Sequence, residues 1–296
     1  MELRHLRYFI AVARHAHFTR AAKELAIAQP ALSQQIAQFE REIGVRLFDR
    51  SNRRVQITDA GRALLARALR IVADADSVAE EMSAYAGGLR GRVVVGTIQS
   101  LSEYTLPKIL KRFHGAYPHI EIALRESLAD TMIAGMRGGS VDLAIGDMGE
   151  AAAGTLREMR VETLFTDELT IAVAPSHRFA ARTRIEIADL CDEPFIIFRP
   201  GSALTNSLYE QTRAAGFEPR VTFESTDSLT VRALVAENLG VTLLPRSIGT
   251  PAGPKIVMLS LAPRKIARTI SLVHRASSYG PAAKTFIGFV REQMRR

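Results

Sequence analysis

Tryptophan is absent and cysteine occurs once, at Cys191, in a chain of 296 residues. One thiol cannot close an intrachain disulfide, and it leaves no cysteine pair for a zinc site or a two-thiol redox switch. The expected role of Cys191 is that of a small, partly buried apolar residue. Long apolar runs are missing too: nothing approaches the roughly 20 residues a membrane-spanning helix requires. The opening Met1-Glu2-Leu3-Arg4-His5-Leu6-Arg7 runs directly into an amphipathic pattern, without the apolar core and small-residue cleavage site of a secretory signal, so a cytoplasmic location is expected. No Gly-x-Ser-x-Gly elbow, His-Glu-x-x-His pair or Gly-x-x-x-x-Gly-Lys-Ser/Thr loop is present. Nucleophilic, zinc and nucleotide chemistry therefore lack their usual placement, and neither a catalytic residue nor a metal ligand set is expected. The seven histidines are scattered, and most of them read as surface or capping residues.

What is present starts with charge. The formal balance of +8 and a pI near 10.0 suit a polyanionic partner. In the first sixty residues three apolar stripes recur at helical spacing: Leu6, Phe9, Ile10 and Ala13; Ala21, Ala22 and Leu25; Leu32, Ile36 and Phe39. Thr19 is placed to cap the second helix, and Pro30 suits the first turn of the third, where its missing amide hydrogen would go unpaired anyway. The four residues from Ala26 to Gln29 are too few for the two helices to run alongside each other, so they cross steeply.

From Asp59 to Leu89 there is no proline, and Leu64, Ala68, Ile71, Ala75, Val78, Met82 and Tyr85 alternate at steps of four and three. This heptad seam predicts a long helix that pairs with a copy of itself. Gly87, Gly88 and Gly91 then break the helix. The boundaries expected are residues 1–58 for the helical module, 59–89 for the linking and dimerising helix, and 90–296 for the remainder of the chain.

Beyond the glycines the period changes. Arg92 to Gly96, Ile120 to Leu124 and Val141 to Gly146 read as strands, with a helix from Leu106 to Tyr117 between the first two. Glu168 to Val173, Pro194 to Phe198 and Ile270 to Val273 repeat the plan, ending in a helix from Pro281. Alternating strands and helices predict a largely parallel sheet in two α/β lobes, 90–162 with 268–296 and 163–267, and ligands of such pairs sit between the lobes. An exported solute-binding protein shares that plan, but it needs a signal and has no use for the amino-terminal helices.

In the third helix the apolar stripe leaves Gln29, Ser33, Gln34 and Gln38 on the outer face. Glutamine bonds bidentately to adenine and serine donates or accepts, which is the chemistry of base readout. Arg46-Leu47-Phe48-Asp49-Arg50 leads into Ser51-Asn52-Arg53-Arg54-Val55-Gln56-Ile57-Thr58, an arginine-rich turn between short alternating segments, the pattern of a β-wing. Arginine at such a tip fits a narrow minor groove. Phosphates are within the expected reach of Arg50, Arg54 and the helix start near Thr19.

Phe18-Thr19-Arg20-Ala21-Ala22-Lys23-Glu24-Leu25, Gln29-Pro30-Ala31-Leu32-Ser33-Gln34-Gln35-Ile36, Gly44-Val45-Arg46-Leu47-Phe48-Asp49-Arg50 and Thr58-Asp59-Ala60-Gly61 stand in order without gaps. Together they resemble the amino-terminal signature of the LysR-type transcriptional regulators. The resemblance covers residues 1 to about 90 strongly and the remainder in layout. It implies a winged helix-turn-helix and long linker helix, all α, followed by a two-lobed α/β effector domain like a periplasmic binding protein. It further implies a homodimer or homotetramer, double-stranded promoter DNA and RNA polymerase as partners, and an inducer in the lobe cleft that alters DNA bending. Base contacts fall to Gln29, Pro30, Ser33 and Gln34, and minor-groove insertion to Arg53. Two positions depart from the pattern. Ala28 stands where serine is frequent, and Gln34 where arginine is frequent, which shifts one base preference from guanine toward adenine. Leu259-Ser260-Leu261-Ala262-Pro263 with Gln34-Gln35 is similar to the cyanate-responsive branch.

Ser100 and Ser102, ahead of Leu106-Pro107, and Arg199 and Ser202, after Phe198, place hydroxyls and a positive charge at equivalent points of the two lobes. Such a cleft is expected to take a carboxylate or other small anion as effector, with no further cofactor. On position in the family pattern, effector contacts are assigned to Thr97, Ser100, Ser102, Ser127, Phe198, Arg199, Ser202 and Thr226. Asp142, Asp147 and Asp227 are read as structural.

Overall fold

The computed structural model describes residues 1–49, 55–85, 90–149, 159–249, 253–276 and 280–294. Three helices open the chain: α1 (Leu3–His15), α2 (Phe18–Glu24) and α3 (Gln29–Ile43). Their stripes meet in one core in which Leu6, Phe9, Ala22, Leu32, Ile36 and Phe39 are buried. Each large side chain buried there stabilises the module by about 1.5–3 kcal/mol. Ala26 turns the chain between α2 and α3 in the left-handed region, φ 53°, and Gly44 ends α3 at φ 75°. The cap of α2 differs from expectation: His17 precedes the helix with extended backbone, and its Nδ1 accepts the Thr19 amide at 3.1 Å. Thr19 stands inside the helix, too far along to cap it, and is exposed.

After α3 the chain forms the base of a two-stranded wing, β1 (Phe48–Asp49) antiparallel to β2 (Gln56–Ile57). The expected phosphate and minor-groove residues Arg50, Arg53 and Arg54 lie outside the described residues. Glu40 ties the wing base to α3, since its Oε1 accepts the amides of Leu47 (2.8 Å) and Phe48 (3.1 Å). Thr58 starts the next helix: its hydroxyl accepts the Gly61 amide at 3.0 Å and donates to Arg46 O at 2.8 Å. A side chain at position 61 would overlap Leu47 O and come within 2.6 Å of Ile57 Cγ1, so only glycine fits this approach.

The linking helix α4 spans Asp59–Tyr85. Its heptad seam divides in two. Ala68 is fully buried in the core of the amino-terminal module, so this position serves the chain's own fold rather than a partner helix, and half-buried Leu64 packs beside it. The first turns of α4 must close the core that three short helices leave open. Further along, Ile71, Val78 and Met82 are 44, 58 and 55% exposed, and Ala75 is half-buried. The side chain of Tyr85 and residues 86–89, with Gly87 and Gly88, lie outside those described.

The remainder is built on strands. β3 (Gly91–Thr97) pairs in parallel with β4 (Ile120–Glu126) and β5 (Leu143–Gly146), with α5 (Gln99–Tyr104), α6 (Leu106–Ala116) and α7 (Ala129–Arg137) as connections. Then come β6 (Met159–Val173), β7 (Arg184–Glu186), β8 (Pro194–Phe198), α8 (Ala203–Ala214), β9 (Arg220–Ser225) and α9 (Ser228–Ala236). The chain continues through β10 (Thr242–Pro245), α10 (Arg246–Gly249), β11 (Val257–Ala262), β12 (Ile266–Arg275) and α11 (Pro281–Met294).

The sheet is mixed rather than largely parallel. β12 runs antiparallel to both β5 and β6, and β10 and β11 run antiparallel to β6. The cause is the length of β6: at 15 residues it serves both lobes, and β12 returns along it over ten residues. One lobe packs Val93, Phe113, Leu143, Ile270, Leu272 and Phe286, and the other Ile171, Phe195, Leu208, Val241 and Leu259. No helix among the described residues is long and apolar enough to cross a membrane.

Candidate nucleic-acid interface and inter-lobe cleft

The α3 helix divides into an anchoring side and an open side. Leu32, Ile36 and Phe39 show no exposed surface, whereas Gln29, Pro30, Gln34 and Gln38 are exposed and Ser33 is half-exposed. Pro30 occupies the first turn, where it removes an amide the helix could not use, and Ala28 precedes it without a side-chain cap. The open side thus presents carboxamides and a hydroxyl on a helix whose rotation is set by three buried side chains, and Thr19 at the start of α2 is exposed as well. These are the donors and acceptors that base edges and phosphates require.

Between the lobes lies a cleft of about 670 Å³. Of the eight residues expected there, Ser100, Ser127, Phe198, Arg199, Ser202 and Thr226 line it. Thr97 does not. It is fully buried at the end of β3, because strand alternation puts it on the same inward face as Val93 and Val95. The side chain of Ser102 lies outside those described. Ser202 also caps α8, accepting the Thr205 amide at 3.2 Å, and Thr205 Oγ1 donates to Phe198 O at 2.8 Å, which fixes the loop after β8.

Arg268, Gln99 and Asp147 are among the further residues that line the cleft and that the sequence does not place there. Arg268 is 5% exposed on β12. Its Nη1 donates to Ser100 Oγ at 3.0 Å and its Nη2 to Asp167 Oδ2 at 3.2 Å, while its Nε has no hydrogen-bond partner. Burial lowers the guanidinium pKa, and the charges of Asp167 and Asp147 oppose that shift. Asp167 in turn accepts the amide (3.2 Å) and hydroxyl (2.5 Å) of Ser247. A polar chain therefore runs from half-buried Ser247 through the buried Asp167 and Arg268 to Ser100, crossing from one lobe to the other through the shared strands.

Gln99 makes the second crossing, donating from Nε2 to Asp227 Oδ1 at 3.1 Å. Asp227 caps α9, with Oδ2 accepting from Thr230 N (2.8 Å) and Thr230 Oγ1 (2.5 Å); the Thr230 hydroxyl is the main reason its carboxyl pKa lies below the usual value. Asp142 is structural as expected, accepting the Val94 amide at 2.7 Å. Asp147 instead faces the cleft. A signal for Arg268 existed in the sequence: Ile266, Arg268 and Ile270 alternate, which sets a charge on an otherwise apolar strand face.

Residues 3–62 match the family model described as bacterial regulatory helix-turn-helix protein, lysR family, and residues 86–295 match the LysR substrate binding domain. The transcriptional dual regulator GltC of Bacillus subtilis (strain 168) is 32% identical over 98% of this chain and 96% of that protein. The DNA-binding transcriptional dual regulator OxyR of Escherichia coli (strain K12) is 31% identical over 94% of this chain and 90% of its own length. Among solved structures, full-length OxyR from Pseudomonas aeruginosa with a cysteine-to-aspartate substitution superposes with a TM-score of 0.76 at 26% identity, covering 100% of this chain and 95% of that one. Full-length CbnR complexed with its target DNA superposes with a TM-score of 0.71 at 25% identity, covering 99% of each chain. These relatives are transcription regulators rather than enzymes. With a helix-turn-helix module whose polar α3 face is open, and a two-lobed domain that encloses a cleft, the chain belongs to the LysR family of DNA-binding transcriptional regulators.

Proposed function

We propose that this regulator recognises a specific operator in double-stranded promoter DNA through Gln29, Pro30, Ser33, Gln34 and Gln38, with Thr19, Arg50 and Arg54 on phosphates and Arg53 in the minor groove. The observation that carries this reading is the opposition on α3 of a fully buried apolar stripe and an exposed carboxamide face. The exposed apolar residues Ile71, Val78 and Met82 of α4 support assembly as a homodimer or a dimer of dimers. The module bounds 1–58, 59–89 and 90–296 divide these tasks, with RNA polymerase as the further partner at the promoter and the cytoplasm as the compartment.

The effector proposed for the cleft is a small molecule bearing an anionic group. Its support is the buried Arg268 guanidinium that lines the cleft and bonds Ser100, and the cation Arg199 near the start of α8. Ser127, Ser202 and Thr226 supply hydroxyls and Phe198 an apolar wall. A cleft of about 670 Å³ is far larger than a small inorganic anion such as cyanate fills.

Footprinting of the purified protein on promoter fragments in moderate salt tests the reading. A protected, two-fold-related site that survives competitor DNA is expected; equal affinity for all duplexes would overturn it.

A further inference from the structure

The cleft carries more negative than positive charge. Among the described residues, Glu126, Asp130, Asp147 and Glu210 line it against Arg199 and Arg268, and Arg268 is already opposed by Asp167. A purely anionic guest drawn to Arg268 would enter between these carboxylates, where like charge disfavours it. Position separates the groups. Glu126, Asp130, Glu210 and Arg199 are exposed at the rim, Asp147 is half-buried, and Arg268 forms the inner wall.

Asp147 follows directly on β5, the strand paired with β12, which carries Arg268. Its Oδ1 accepts the Gly149 amide at 3.0 Å. Asp147 and Arg268 both line the cleft from paired strands, so the two form opposite poles of one inner site. Arg268 is only 5% exposed, lines the cleft and donates from Nη1 to Ser100 Oγ, itself a lining residue. The inner cleft thus offers a cationic donor and a carboxylate acceptor in one site, and a ligand that satisfies both must itself carry both charges.

We propose that the effector is a dipolar molecule, an amino acid or close analogue, whose carboxylate meets the Arg268 guanidinium and Ser100 and whose ammonium meets Asp147. This rests on the reading of the cleft as the effector site and narrows it to one chemical class. The ammonium also offsets the excess negative charge of the rim.

The test is calorimetric titration of the full-length protein with each of the common amino acids, beside the corresponding des-amino carboxylic acid and the corresponding decarboxylated amine. The expected result is that at least one amino acid binds, at least roughly tenfold tighter than both of its truncated counterparts. Asp147→Asn should remove the preference over the carboxylic acid while leaving carboxylate binding in place, and Arg268→Lys should weaken the amino acid and the acid alike. Carboxylic acids binding as tightly as the amino acids would overturn the dipolar assignment and leave the anion reading standing. Amines binding alone would overturn both. An unchanged preference in Asp147→Asn, or no binding by any member of the panel, would overturn the dipolar assignment.

Discussion

Gln99, the first residue of α5, donates a 3.1 Å hydrogen bond to Asp227, the cap of α9, and so joins the two lobes across the mouth of the cleft. A hydrogen bond to a charged acceptor contributes about 1.5–3 kcal/mol. Part of that is lost to water in the open form. Gln99→Ala is therefore expected to favour separated lobes and to lower effector affinity by about tenfold, or about 1.4 kcal/mol. Small-angle scattering and calorimetry of the variant check this, and unchanged affinity with an unchanged scattering profile contradicts it.

For the reading face, Ser33→Ala and Gln34→Ala should each cost about 1–3 kcal/mol in specific binding and relax base preference at one position. Arg54→Ala should weaken all duplexes alike and flatten the salt dependence. Binding titrations on an operator and on scrambled duplex at several salt concentrations separate the two behaviours. Operator selectivity retained in both α3 variants would remove this helix from base readout.

The divided seam of α4 gives two opposite outcomes from the same kind of substitution. Ile71→Asp, at a 44% exposed position, should leave the amino-terminal module folded and abolish dimerisation. Ala68→Asp, in a fully buried position, should instead unfold that module, since an unpaired charge cannot be accommodated there. Equilibrium sedimentation and circular dichroism read the pair. An intact assembly in Ile71→Asp would refute pairing through this seam.

Glu168 supplies a pH dependence. The hydrogen bond from Arg246 (2.9 Å), aided by the charge of Lys265, lowers its pKa from 4.5 to about 2. Because the folded value lies below the unfolded one, the stabilisation is complete above the unfolded value of 4.5 and disappears as pH falls toward about 2. Urea unfolding across that window should show a shallower loss of stability in Glu168→Gln than in the parent. Identical slopes would show that this pair does not contribute.

How much of this was legible in the sequence depends on the range of the interaction. The α3 face, Pro30 and the wing base are set by neighbours a few residues apart, so periodicity and local motifs disclosed them. The cap of α2 falls on His17 instead of Thr19 because the imidazole also has an acceptor nitrogen and stands at the residue where the helix begins. The heptad seam predicted exposed apolar positions at Ile71, Val78 and Met82, but periodicity cannot tell whether a stripe meets its own domain, as Ala68 does, or another copy. The cleft was legible through loops after strands, which brought out Ser100, Arg199 and Ser202, whereas Ser127 rests on the family resemblance alone. Arg268 and Asp147 escape such a reading for different reasons. Arg268 reaches Ser100 across 168 residues, and no local pattern reports such a pairing, although its place between Ile266 and Ile270 marked it as unusual. Asp147 reads as a structural turn residue, which its bond to Gly149 also makes it.

The strands that join the lobes are continuous, so the two halves of the cleft have no loop between them to pivot on. Along β6 and β12 the pairing passes from Ile270 with Phe165 to Ser271 with Thr163, leaving Leu164 without an opposite number. Such an extra residue is where a paired ribbon bends most readily, and Arg268 stands just before it on the facing strand. Whatever grips Arg268 is thereby gripping the flexure itself, and the message sent toward the DNA would be a change of twist in two strands rather than the travel of a lid.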